Sequence, residues 1–130
     1  MPHNPSRLQV VIRADALVVR VHQLAERHRR RIGAVSPGLR SQLLRAATSI
    51  SLNLGEACGY TSPDKSAALL DVAIGSCNEV ERVLRLCRRL EVLDDSVDTL
   101  LDELREIRMM TYGFRKRLLS FPHFTQTSDF

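Results

Sequence analysis

Apolar side chains recur at helical spacing along almost the whole chain, and no stretch shows sustained alternation. Val10, Ala14, Leu17, Val21, Leu24, Ala25 and Ile32 repeat at intervals of three, four and seven, which puts them on one face of a helix. That stripe predicts a first helix over about 7–32, with Gly33 just past its end. Pro37 opens a second helix, about 37–58, which stops at Gly59. Ser62, Pro63 and Asp64 read as N-cap, first helical position and an acid at the positive end of the dipole. They predict a third helix over about 63–91, buried through Leu69, Leu70, Ala73, Cys77, Val80, Leu84, Cys87 and Leu90. A fourth, about 96–120, carries the seam Val97, Leu100, Leu101, Leu104, Ile107, Thr111, Leu118 and Leu119. The last ten residues have no period and are expected to be an extended or disordered tail.

Long helices with short connections predict an all-α fold: an antiparallel up-down-up-down four-helix bundle over residues 1–120. A chain of 130 residues suits one such domain. Two helices carry more apolar surface than one stripe. Val72 and Val83 widen the face of the third, and Leu44 and Leu52 flank the second. Surplus of this kind points to burial against other copies of the chain, a homo-oligomer.

Between those apolar flanks runs a polar line. Arg45, Ser49, Asn53 and Glu56 are spaced by four, four and three, with Gln42 beside them. The line reads first as a structural hydrogen-bond network between helices or subunits, with Ser76 and Glu79 on the third helix and Arg108 and Arg115 on the fourth as partners. In that reading Glu56 or Glu79 faces Arg108. Two alternatives stay open: a channel-facing ligand site, and an acid–base site at Glu56. The second is poorly supported, because no His, Cys or second acid shares its register.

Charge is distributed unevenly. The net charge is +4, but Arg dominates the first 45 residues and acids dominate Glu91–Glu106. Arg13, Arg20 and Arg27 recur every seven residues, and Arg29, Arg30, Arg31 and Arg40 extend the cluster. Arg82, Arg85 and Arg89 form a second line. These faces are either solvated surface or phosphate-binding surface, and guanidinium groups suit the latter. With few aromatics near them, base stacking is not expected, and no helix-turn-helix or phosphate-loop motif is evident.

Other classes find little support. Cys58, Cys77 and Cys87 lie in helical patterns without the spacing of a zinc site, and are expected to be reduced, packed thiols. His3, His22, His28 and His123 form no ligand pair, so no metal or cofactor is expected. No apolar run is long enough for a membrane span, and no secretory signal is apparent.

Two segments, "QLLRAATSISLNLGEA" (residues 42–57) and "ALLDVAIGSCNEVERVL" (residues 68–84), resemble the four-helix-bundle proteins encoded in intervening sequences of 23S ribosomal RNA genes. The matching positions are Gln42, Leu43, Arg45, Ala46, Ala47, Ser49, Ile50, Asn53 and Glu56, then Ala73, Gly75, Ser76, Glu79 and Glu81. Leu44, Gly55 and Ala57 depart from the usual pattern, and the Arg that often follows the first motif is missing. The resemblance implies a bacterial, cytoplasmic protein whose bundles assemble into a ring of five. It also implies kinship with the basic accessory proteins of diversity-generating retroelements, which bind nucleic acid, and it brings no known enzymatic activity.

Sequence and resemblance together lead to two expectations. One is a non-enzymatic homo-oligomer that binds nucleic acid, structured RNA by preference, through its Arg-rich surfaces. The other is a ring-shaped scaffold for a partner protein that docks on the acidic Asp94–Glu106 segment.

Overall fold

The computed structural model describes residues 5–59 and 62–120. The expected tail, His3 and His123 lie outside the described residues. Within them the chain is all-α, with five helices and no strand: α1 (Pro5–Arg27), α2 (Arg29–Val35), α3 (Pro37–Ala57), α4 (Pro63–Arg89) and α5 (Asp98–Ser120). A short 3-10 turn, Asp95–Val97, leads into α5. The four long helices pack in a closed cycle, α1 on α3, α3 on α4, α4 on α5 and α5 on α1. The short α2 lies against α3.

The expected first helix is interrupted at one residue, His28, whose φ of −108° and ψ of 19° leave the helical range. Backbone hydrogen bonding continues across it, from His28 N to Leu24 O and from Ile32 N to His28 O. A half-buried imidazole occupies the position where the stripe would carry an apolar residue. Like charges at Arg27, Arg30 and Arg31, three and four apart, also disfavour a regular turn there. Gly33 is inside α2 and does not end a helix. The stop comes at Ser36, extended at φ −154° and ψ 103°, as the residue before a proline prefers.

α4 begins as the sequence indicates, with the Ser62 hydroxyl accepting from Lys65 N. It ends in a six-to-one closure, Val92 N to Cys87 O, that puts Glu91 at φ 61°. The core runs through all four long helices and includes Leu17, Leu43, Ile50, Leu70, Leu84 and Ile107. Of the surplus apolar residues, Val83 is buried within the subunit and Leu44 packs on the core. Leu52 and Val72 remain 67% and 50% exposed. Leu90 and Leu119, expected in the core, are exposed, and Phe114 is buried instead.

Candidate functional site

The polar line does not form one network. Its centre is a three-residue relay: Ser76 Oγ donates to Ser49 Oγ at 2.8 Å, and Asn53 Nδ2 donates to the same oxygen at 3.1 Å. Asn53 also donates to the Ser49 carbonyl at 2.8 Å. The relay ties α3 to α4. The ends of the line, Gln42, Arg45 and Glu56, are exposed, and their side chains make no hydrogen bond or ion pair with described residues.

Neither Glu56 nor Glu79 meets Arg108. That guanidinium donates to Glu81 Oε1 at 2.7 Å and to Asn78 Oδ1 at 3.2 Å, joining α5 to α4. Arg85 donates to the other Glu81 oxygen at 2.9 Å. The bond from Arg108, then that from Arg85, holds the Glu81 carboxyl below its ordinary range. Arg115 is bound by Asp71. Glu81 and Asp71 are not legible in the sequence as partners of Arg108 and Arg115, because those two arginines lie on another helix. The Arg85–Glu81 pair, four residues apart on α4, is within reach of helical spacing.

The arginines fall into two groups. Several are held by partners within the chain. Arg13 donates to both oxygens of Glu103, at 2.9 and 2.6 Å, with Glu106 at 3.6 Å. That hydrogen bond raises the Arg13 pKa and lowers that of Glu103. Arg31 donates to the Glu91 carbonyl at 2.7 Å, and Arg40 to Glu26 at 3.1 Å. Arg20 reaches the Thr99 hydroxyl at 3.1 Å, and Arg29 lies 3.7 Å from Glu26.

Of the candidate arginines, Arg27, Arg30, Arg82 and Arg89 form the second group, exposed and with no side-chain hydrogen-bond or ion-pair partner among the described residues; Arg45, Arg105 and Arg117 share that condition elsewhere on the surface. Contacts from Arg31 to Glu91, Arg40 to Glu26 and Arg20 to Thr99 gather the C-terminal ends of α1 and α4 with the N-terminal ends of α3 and α5. Arg27, Arg30 and Arg89 therefore share one end of the molecule with Arg29 and Arg31. Arg82 stands about two turns below, in a shallow groove between α3 and α4 that also takes in Leu39, Gln42, Gly75, Glu79 and Leu86.

This arrangement suits anion binding at the Arg-rich end. Burial pushes the Cys77 thiol up to about 12 and also raises that of Cys87. Among the described residues no group of three or more His, Cys, Asp or Glu is placed to hold a metal ion. No helix there is long and apolar enough to cross a membrane.

No curated protein matches the chain. A crystal structure of a Bacteroides thetaiotaomicron protein of unknown function, from the S23 ribosomal protein family, is similar at a TM-score of 0.73 and 23% identity. The match covers 85% of this chain and 98% of that one and establishes likeness of fold. The family described as 23S rRNA-intervening sequence protein matches residues 6–113, a span that takes in α2–α4 entirely and most of α1 and α5. By that match, the chain belongs to the 23S rRNA-intervening sequence protein family.

Proposed function

We propose that the chain is a non-enzymatic module that assembles with copies of itself and binds nucleic acid, structured RNA by preference, through phosphate contacts without sequence discrimination. The observation that carries this reading is the grouping of Arg27, Arg30 and Arg89, three unpartnered guanidiniums at one end of the molecule. An exposed arginine with no carboxylate to satisfy it is free to take a phosphate oxygen pair. No aromatic neighbours them in sequence, which favours backbone over base recognition.

The cycle of α1, α3, α4 and α5 supports an antiparallel up-down-up-down four-helix bundle in each copy. Exposed Leu52, Val72, Met109 and Tyr112 support a ring-shaped homo-oligomer. The family resemblance suggests five copies and a bacterial cytoplasm. A ring would repeat the cationic end around its axis and steepen the salt dependence of binding.

The test is retention on heparin and on structured RNA across a salt gradient, comparing the native chain with R27A/R30A/R89A. Each phosphate contact contributes a slope of roughly 0.7–0.9 in log affinity against log salt. The triple variant is expected to bind more weakly and with a shallower slope. Equal affinity and slope for both proteins would overturn the reading.

A further inference from the structure

Two exposed lines of side chains, one on α4 and one on α5, mirror each other in spacing and in chemistry. On α5 the line is Asp102, Arg105, Met109 and Tyr112, at steps of three, four and three. Read backwards, α4 carries Arg82, Glu79, Gly75 and Val72 at the same steps. Such steps hold each set on one helical face. Paired in antiparallel order they set Asp102 against Arg82, Arg105 against Glu79, Met109 against Gly75 and Tyr112 against Val72.

All eight residues are exposed, and none of the four charged ones has a hydrogen-bond or ion-pair partner among the described residues. Met109 is 61% exposed and Tyr112 53%. A Cβ added to Gly75 would meet nothing within 4 Å, so the space over it is open to an incoming side chain.

The two lines cannot meet within one subunit. The α4 line borders α3 through the groove that includes Leu39 and Gln42. On α5, Met109 shares a groove with Met110, whose sulfur accepts from Arg13 of α1.

We infer that the α5 line of one copy seats on the α4 line of a second copy. The inference rests on the homo-oligomer reading above and specifies its contact. Different surfaces meet in this pairing, so it is heterologous, and an open assembly keeps one free α4 line and one free α5 line at its two ends until a ring closes. Within the subunit, Arg88 faces Asp98 and Asp71 faces Arg115, which sets the level of α4 relative to α5. The contact between copies departs from that level by two residues, about 3 Å. Neighbouring copies therefore stand nearly side by side with the same polarity, an offset small enough to be compatible with a closed ring. Arg82 is assigned to this contact, leaving Arg27, Arg30 and Arg89 for the ligand.

The experiment is light scattering on the native chain, R82E, D102R and R82E/D102R, with circular dichroism as a check that these surface variants keep their helices. The native chain is expected at a multiple of 14.7 kDa. Each single variant is expected to dissociate at concentrations at least tenfold higher than the native chain, and the double variant to recover the native mass. A native oligomer whose mass resists both single substitutions, or a double variant that fails to recover, overturns this contact while the oligomer stands. A native chain of monomeric mass at micromolar concentration overturns both.

Discussion

Arg31 closes the C-terminal end of α4 from across the molecule, donating to the Glu91 carbonyl at 2.7 Å. Glu91 is the residue that turns the chain there, at φ 61°, where a side chain is disfavoured. Glycine adopts that conformation at no steric cost. Glu91→Gly is therefore expected to stabilise the fold by about 1 kcal/mol, because the change removes local strain. The Arg31 bond, made to a backbone oxygen, survives. Urea denaturation checks it, and a midpoint that falls would contradict the strain argument.

The Asn53–Ser49–Ser76 relay should behave as a unit. Ser49→Ala removes the acceptor shared by two donors and is expected to cost about 1 kcal/mol. Once Ser49 is alanine, Ser76→Ala should add little. A double-mutant cycle on thermal unfolding measures the coupling, expected at about 0.5–1 kcal/mol. Strict additivity would mean that the hydroxyl contact contributes nothing.

Acid should loosen α5. Glu81 and Glu103 both have carboxyl pKa values lowered in the folded state, chiefly by bonds from Arg108 and Arg13 respectively. A lowered folded pKa gives stability that is present above the unfolded value, about 4.3, and lost as pH falls through the folded value. The unfolding free energy should therefore hold steady from neutrality to about pH 5 and decline below it. Glu81→Gln and Glu103→Gln are each expected to cost about 0.5–1 kcal/mol at pH 7 and to flatten the acid limb. An acid limb as steep in the double variant as in the native chain would assign the decline to other groups.

Thiol chemistry offers a local probe of opening. Cys77 is fully buried with its pKa pushed up to about 12, and Cys87 is also fully buried with a raised pKa. Neither presents an accessible thiolate near neutrality. Mass spectrometry after iodoacetamide treatment at pH 8 should find the half-buried Cys58 modified first, with Cys77 and Cys87 reacting at the rate of unfolding. Prompt modification of Cys77 would show that the α4 face of the core opens locally.

Much of the fold could be read from periodicity, because burial follows helical spacing so closely here. The exceptions have physical reasons. Ile32 is buried and in phase with the α1 stripe, so the spacing gives no hint of a break at His28; the deviation lies in one pair of backbone angles. Phe114 fills the three–four step between Thr111 and Leu118, a position the seven-residue spacing passed over. Leu90 falls at the C-cap of α4, and Val92 and Leu93 beyond the turn take the buried positions in its place.

The candidate site was less legible. Which guanidiniums are engaged depends on partners far away in the chain, such as Glu103 for Arg13 and Glu91 for Arg31. Arg13, Arg20 and Arg27 are equivalent in spacing, yet Arg13 is bound at both carboxylate oxygens and Arg27 is unpartnered. The polar line is likewise visible as a line, but only Ser49 bonds a hydroxyl on α4, and Asn53 joins the relay through Ser49.

The break at His28 leaves α2 as a short tip whose one buried side chain is Ile32. Changes at the exposed Arg29 or Arg30 need not rotate the stripe that ends at Ala25, whereas Arg31 also holds the Glu91 carbonyl. The cationic tip is in effect a replaceable bit on a fixed shank, open to change in sequence while the packing beneath stays as it is.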